Sequence, residues 1–325
     1  MHITLLPLVL IAIWGATSIS VRDDTEARVH SSQPGAVEQS SDLEFNATVA
    51  RPAYLKHRPQ VLFDQAHNNS DTSSGRYRPF AELITSDGYR VVPNNVVFSK
   101  RALKGYEVLV VVNASGPNGQ RDRSPFTDEE CDAVRDWVRA GGALLLITDH
   151  APYSNAVTAL LKRFGVEVTN GYTIDGSHQS QGSDDQTELL FTRDGGLAEH
   201  QITNGRDSTE RINRVVAFTG TSLKGPGGSV AFLKLADTAK DVLPPPAAKS
   251  KSPDEPAPDH TTVSAAGRAQ GLALELGNGR VVVLSEAAML TAQVAPRGFR
   301  FGMNAPGNDN RQLALNIMHW LSGLL

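Results

Sequence analysis

ALLLITDHAP (Ala143–Pro152) decides how this chain is read: an unbroken apolar run that stops abruptly on an acid and a histidine. A strand with one wet face alternates apolar and polar residues, whereas a strand buried on both faces runs apolar throughout, as in parallel sheets covered by helices. Three other stretches repeat the pattern: VLFDQAHNN (Val61–Asn69), VLVVVNAS (Val108–Ser115) and VVVLSEAAM (Val281–Met289). Open parallel sheets bind ligands beyond the carboxyl ends of their strands. The four endings therefore place Asp64, His67, Asn113, Asp149, His150 and Glu286 around one crevice.

Helical patterns separate the runs. Thr127-Asp-Glu-Glu130 reads as a capping box, Cys131, Val134 and Val138 form an apolar stripe, and Gly141-Gly142 stops the helix. Pro79 suits a first helical turn, Phe80, Leu83 and Ile84 give an apolar face, and Gly88 ends it. Strands are expected at Tyr89–Val92 and Val166–Val168, with a helix over Ser154–Phe164. Alternating strands and helices predict an α/β fold with a mainly parallel sheet and right-handed crossovers. In the second half, Arg214–Phe218, Ser229–Leu235, Gly271–Leu276 and Arg280–Leu284 are strand-like. Gly277-Asn278-Gly279 between the last two is a hairpin signal, expected to form a C-terminal β-hairpin extension. LPPPAAKSKSPDEPAPDH (Leu243–His260) reads as the core of a disordered surface insertion at about 240–268. Asp309 can cap a last helix whose Leu313, Ile317, Trp320, Leu321 and Leu324 close the core.

The N-terminus carries LLPLVLIAIW (Leu5–Trp14), followed by the small residues of GATSIS. That segment is shorter than the ~20 apolar residues of a membrane span and fits a secretory signal peptide over residues 1–20. Residues 21–58 are polar and aperiodic, as in a flexible leader, and the α/β domain is expected over 59–325. Export to the periplasm or the cell exterior is expected, with no stable membrane span after cleavage; the alternative is that the segment stays as an uncleaved anchor. At 325 residues and 40% hydrophobic, the chain can bury a substantial core; a formal charge of -4 gives no electrostatic case for nucleic acid.

Cys131 is a lone cysteine on a buried helical stripe, which makes it a small hydrophobe rather than a nucleophile. Ser285 lacks the G-x-S-x-G elbow that exposes a serine nucleophile. Asp64-x-x-His67, Asp149-His150 and Glu286 are richer: carboxylates and imidazoles on neighbouring strand ends can act as acid and base, or hold a divalent metal. The alternative is structural, because Asp and Asn at strand ends also brace turns. Asn68, Asn113 and Asn310 add amides that suit a polar metabolite or sugar hydroxyls. His178 stands in a polar loop that could fold over the crevice, and His319 beside Trp320 reads as a packed structural residue.

FDQAHNN at 63–69, WVRAGGALLLITDHAP at 137–152, GRVVVLSEAAMLTAQ at 279–293 and FGMNAPGNDNRQLALNIMHWLSGLL at 301–325 resemble the DUF4350 proteins. More broadly they resemble the class I glutamine-amidotransferase-like superfamily, including the GIFT domains of gliding and intraflagellar-transport proteins. The resemblance implies a flavodoxin-like three-layer α/β sandwich. It does not imply glutaminase activity: Asp149 and His150 stand where amidotransferases carry their cysteine elbow. Three functions are compatible with these residues. One is an exported domain binding a small polar ligand, carbohydrate included. The second is a metal- or Asp/His-assisted hydrolase with Asp149, His150 and Glu286 as catalytic groups. The third is a non-catalytic interaction scaffold.

Overall fold

The computed structural model describes residues 39–120, 123–180, 183, 185–245 and 260–325. The expected signal peptide, most of the leader and the middle of the proline-rich insertion lie outside the described residues. The four apolar runs are neighbouring strands of one sheet. In chain order the sheet contains β1 (Gln60–Asp64), β2 (Arg90–Asn94), β3 (Val108–Val112), β4 (Ala143–Ile147), β5 (Glu167–Val168), β6 (Leu223–Lys224), β7 (Val230–Lys234), β8 (Ala269–Leu276) and β9 (Gly279–Leu284). Across the sheet the order is β2-β1-β3-β4-β9-β8-β6-β5, with β7 also paired to β8. The strands from β2 to β9 are mutually parallel, so β1, β3, β4 and β9 deliver their carboxyl ends to one edge. The strands beyond β9 are antiparallel.

Because successive side chains point to opposite faces, each run feeds two cores. Phe63, Val110, Leu145 and Val282 pack with helix α1 (Arg78–Ser86) and helix α4 (Asn310–Leu321). Leu62, Leu109, Leu144 and Val283 pack with helix α2 (Asp128–Arg139) and helix α3 (Thr158–Lys162). The capping box of α2 forms as its sequence predicts: Thr127 accepts from the Glu130 amide, and Glu130 accepts from the Thr127 amide. Among the described residues no helix is long and apolar enough to cross a membrane.

Four expectations are corrected. The hairpin forms, but it is no extension: β9 lies between β4 and β8, because Val281–Leu284 is apolar enough to be buried on both faces. The described end of the leader is held, since Ser40–Ser41 pairs with Ala292–Val294, and Asp42 binds Arg300 at 2.8 Å. The flanks of the insertion are ordered too: Lys240–Leu243 pairs with Thr261–Ser264 and with Tyr172–Ile174. The helix expected over 154–164 is broken at Val157 into Tyr153–Ala156 and Thr158–Lys162.

The hairpin turn is packed tightly against the end of α2. A Cβ on Gly279 would sit 2.0 Å from the Val138 carbonyl oxygen and 2.3 Å from that of Gly142, neither of which can swing away. Gly279→Ala should therefore destabilise the protein by about 1–3 kcal/mol in urea unfolding, the usual scale for overpacking. Gly227→Ala, whose Cβ meets nothing within 4 Å, should not.

Candidate functional site

The strand ends share an edge, but their polar side chains divide into separate groups. At the tip of β1, His67 lies between two buried carboxylates. Its Nδ1 is 2.9 Å from both Asp64 oxygens and its Nε2 is 2.8 Å from Glu130 Oε1. Phe98 and Phe126 flank the imidazole with ring centroids at 4.4 and 4.8 Å. Burial lowers the histidine's proton affinity, yet the hydrogen bonds and charges of Asp64 and Glu130 outweigh it, and the pKa ends above the ordinary 6.5. Asp64 also accepts from the Asn94 side chain at 3.2 Å, and Glu130 from the Phe98 amide at 3.0 Å. This trio is sealed and has internal partners in place of a ligand.

The amides are similarly committed. Asn113, at φ 42°, donates to Asp71 at 2.8 Å, and Asn68, at φ 47°, donates to the Ser115 carbonyl at 3.2 Å. Asn310 donates to the carbonyls of Val216 and Met289 and accepts from the Val216 amide at 3.0 Å, so it ties α4 to its neighbours. Asp309 does not cap α4 with its side chain; its carboxylate accepts from the Asn213 and Arg214 amides at 2.7 and 3.0 Å. His319 is buried against Asp87 at 2.7 Å, the packed role its sequence context suggests. Burial pushes the Cys131 thiol up to about 11, against the pull of Arg163, so it is a poor nucleophile at neutral pH.

The ends of β4 and β9 are different. Asp149, His150 and Glu286 line one cavity of about 490 Å³ together with Phe218, Phe299 and Phe301. His150 Nδ1 is 2.7 Å from Asp149 Oδ1, and that oxygen also accepts the His150 amide at 2.8 Å. Burial lowers the His150 pKa, but the charge and hydrogen bond of Asp149, then the charge of Glu286, carry it above its usual value. Glu286 is 1% exposed. Its two oxygens accept from the amides of Ala288 and Met289 at 2.6 and 2.7 Å, which holds the turn Ala288–Leu290. Burial first, then the charge of Asp149, nevertheless push its pKa up to about 8. Below it Tyr77, fully buried, donates to the Ala287 carbonyl at 2.6 Å. Burial and the nearby charges of Asp71, Glu286 and Asp149 keep that phenol neutral.

His178 is not a lid over this cavity. It pairs with Asp175 at 2.9 Å and faces a separate cavity of about 280 Å³ alongside Phe191 and Asp194. Among the described residues no group of three or more His, Cys, Asp or Glu is arranged to hold a metal ion. The residues missed by sequence reasoning are the aromatic wall and Gln39, Asp185 and Glu188 on the cavity lining. The alternating Phe299-Arg300-Phe301 was the available signal, since it sends two rings to one side of a strand.

No protein-family model matches this sequence, and no curated protein matches it. Among solved structures, the mmIFT52 N-terminal domain superposes with a TM-score of 0.56 at 15% identity, over 81% of this chain and 97% of that one. A ThuA-like protein from Bacteroides uniformis gives a TM-score of 0.45 at 14% identity, over 83% and 94%. A cytoplasmic protein from Salmonella typhimurium gives 0.45 at 11%, over 81% and 98%. The first of these likenesses shows a shared α/β fold.

Two titrations test the electrostatics. The Glu286 carboxyl carbon should titrate near pH 8 in ¹³C NMR, far above the usual 4.5. His67 has a folded pKa above its unfolded value, so its support is complete below about pH 6.5 and is lost as pH rises through the folded value. His67→Gln should cost about 3–5 kcal/mol at low pH, the scale for stranding buried charge, and the gap from the native protein should narrow toward pH 9. Chemical unfolding across that range measures it.

Proposed function

We propose that this chain is an exported domain that binds a small polyhydroxylated ligand of the carbohydrate class. The cavity formed by Asp149, His150 and Glu286 at the strand carboxyl ends is its site. The observation that carries the reading is the joining of this acid–imidazole group and an aromatic wall in one cavity. Carboxylates accept hydrogen bonds from sugar hydroxyls, imidazole both donates and accepts, and phenyl rings cover the apolar faces of a sugar ring. A volume of about 490 Å³ falls within the range of small-molecule sites. Export is inferred from the apolar segment Leu5–Trp14.

For architecture we propose the flavodoxin-like, amidotransferase-like sandwich that the sequence resemblance implies. Support comes from the two apolar clusters on opposite sides of the parallel strands and from the fold-level likeness at TM-score 0.56. Glutaminase chemistry finds no support: Cys131 sits on α2 inside the core, and burial raises its thiol pKa to about 11.

A hydrolytic reading has one specific observation in its favour. Burial and the charge of Asp149 raise the Glu286 pKa to about 8, which suits a general acid, and the hydrogen-bonded Asp149–His150 pair lines the same cavity.

Calorimetric titration with neutral mono- and disaccharides tests the binding reading. Wild-type protein should bind at least one of them. Asp149→Ala and Phe301→Ala should each weaken it by about tenfold or more, while the thermal unfolding transition is retained. Absence of binding across the panel would refute the reading. Release of sugar from 4-nitrophenyl glycosides, lost in Glu286→Gln, would establish the hydrolase instead.

A further inference from the structure

We propose that the ligand of this cavity carries a positive charge, and that its class is an amine-bearing polyol such as an amino sugar. The inference rests on the binding reading above and adds the charge of the ligand to it.

Four carboxyl groups line the cavity: Asp149, Asp185, Glu188 and Glu286. Among the described side chains of the lining there is neither lysine nor arginine; His150, its pKa raised, is paired with Asp149 at 2.7 Å, and Glu286 holds its proton, so the unbalanced negative charge comes from Asp185 and Glu188. The nearby Arg300 is turned away by strand alternation. It binds Asp42 at 2.8 Å, on the side opposite to Phe301. The rings that remain form an edge-to-face ladder. Phe218 and Phe301 have centroids 5.4 Å apart at 68°, and Phe299 and Phe301 are 4.7 Å apart at 65°. Edge-to-face packing leaves ring faces available, and those faces carry the negative lobe of the aromatic quadrupole. Phe299 at the mouth is 53% exposed, so its surface is open to an arriving ligand. Acids and ring faces share one preference, which is a cation.

Burial of Glu286 beside Asp149 adds a second consequence. Glu286 is buried and the charge of Asp149 opposes its ionisation, so an ammonium group brought into the cavity favours loss of the Glu286 proton. An amine ligand therefore releases the Glu286 proton into solvent on binding. A neutral ligand leaves that proton in place. The exchange conserves charge: one cation enters and one proton departs.

The test compares glucosamine, galactosamine and mannosamine with glucose, galactose, mannose and N-acetylglucosamine by calorimetry at pH 7, in buffers of different ionisation enthalpy. At least one amino sugar should bind about tenfold or more tightly than its neutral parent. N-acetylation, which removes the charge, should abolish the advantage. The buffer dependence should report proton release for the amine only. The double variant Asp185→Asn/Glu188→Gln should reduce the ratio of amino-sugar to neutral-parent affinity about tenfold. Equal affinity of an amino sugar and its parent would overturn the charge inference while leaving the binding reading intact. Failure of every sugar, charged and neutral, would remove both.

Discussion

The Glu286 carboxyl group is the constraint around which the strand edge is organised. A carboxyl group that loses its water must find donors or keep its proton. Here both happen. The amides of Ala288 and Met289 reach its two oxygens, and the nearness of Asp149 makes a second negative charge unfavourable. The backbone turn that provides those amides is fixed from below by Tyr77, whose hydroxyl is bound to the Ala287 carbonyl. A buried phenol, a short turn and two adjacent parallel strands thus hold one protonatable group at the floor of a cavity. The strand β9 that carries it is apolar on both faces, so it cannot slip by a residue without placing that group in a core.

Four Asp–His pairs among the described residues show how burial decides what one chemical motif does. Asp64 with His67 and Asp87 with His319 are sealed from water, and their histidines serve as hydrogen-bonding struts between elements. Asp149 with His150 has the same close contact, but its imidazole is 43% exposed and faces a cavity. Its imidazole can meet a diffusing molecule, which those of the two sealed pairs cannot. His178 with Asp175 is also partly exposed, yet it opens on the other cavity, so it is independent of the first site.

Much of the fold was legible in the sequence, because burial on both faces leaves a one-dimensional mark. The runs ending at Asp64, Val112, Ile147 and Leu284 are the parallel strands, and Thr127 with Glu130 caps α2 as its spacing requires. The shared edge was legible for the same reason. Which tips would meet on it was not, since that depends on lateral packing that no local pattern records. Glu130 satisfies the capping box and also reaches His67, a contact across 63 residues. The aromatic wall depends on a small sheet in which Ser40–Ser41 joins Ala292–Val294 and Arg300–Gly302. Two-residue pairings between the leader and the far end of the chain have no periodicity to reveal them. For the same reason the flanks of the insertion looked structureless: Lys240–Leu243 acquires its partner only when Thr261–Ser264 folds back on it.

The most direct measurement of the central claim is the Glu286 titration in an Asp149→Asn variant. If the two groups share one desolvated site, removing the Asp149 charge should bring the Glu286 pKa down from about 8, while burial keeps it above the ordinary 4.5. An unchanged Glu286 titration would show that the two carboxyl groups do not sense each other, and that the cavity has no shared acid centre.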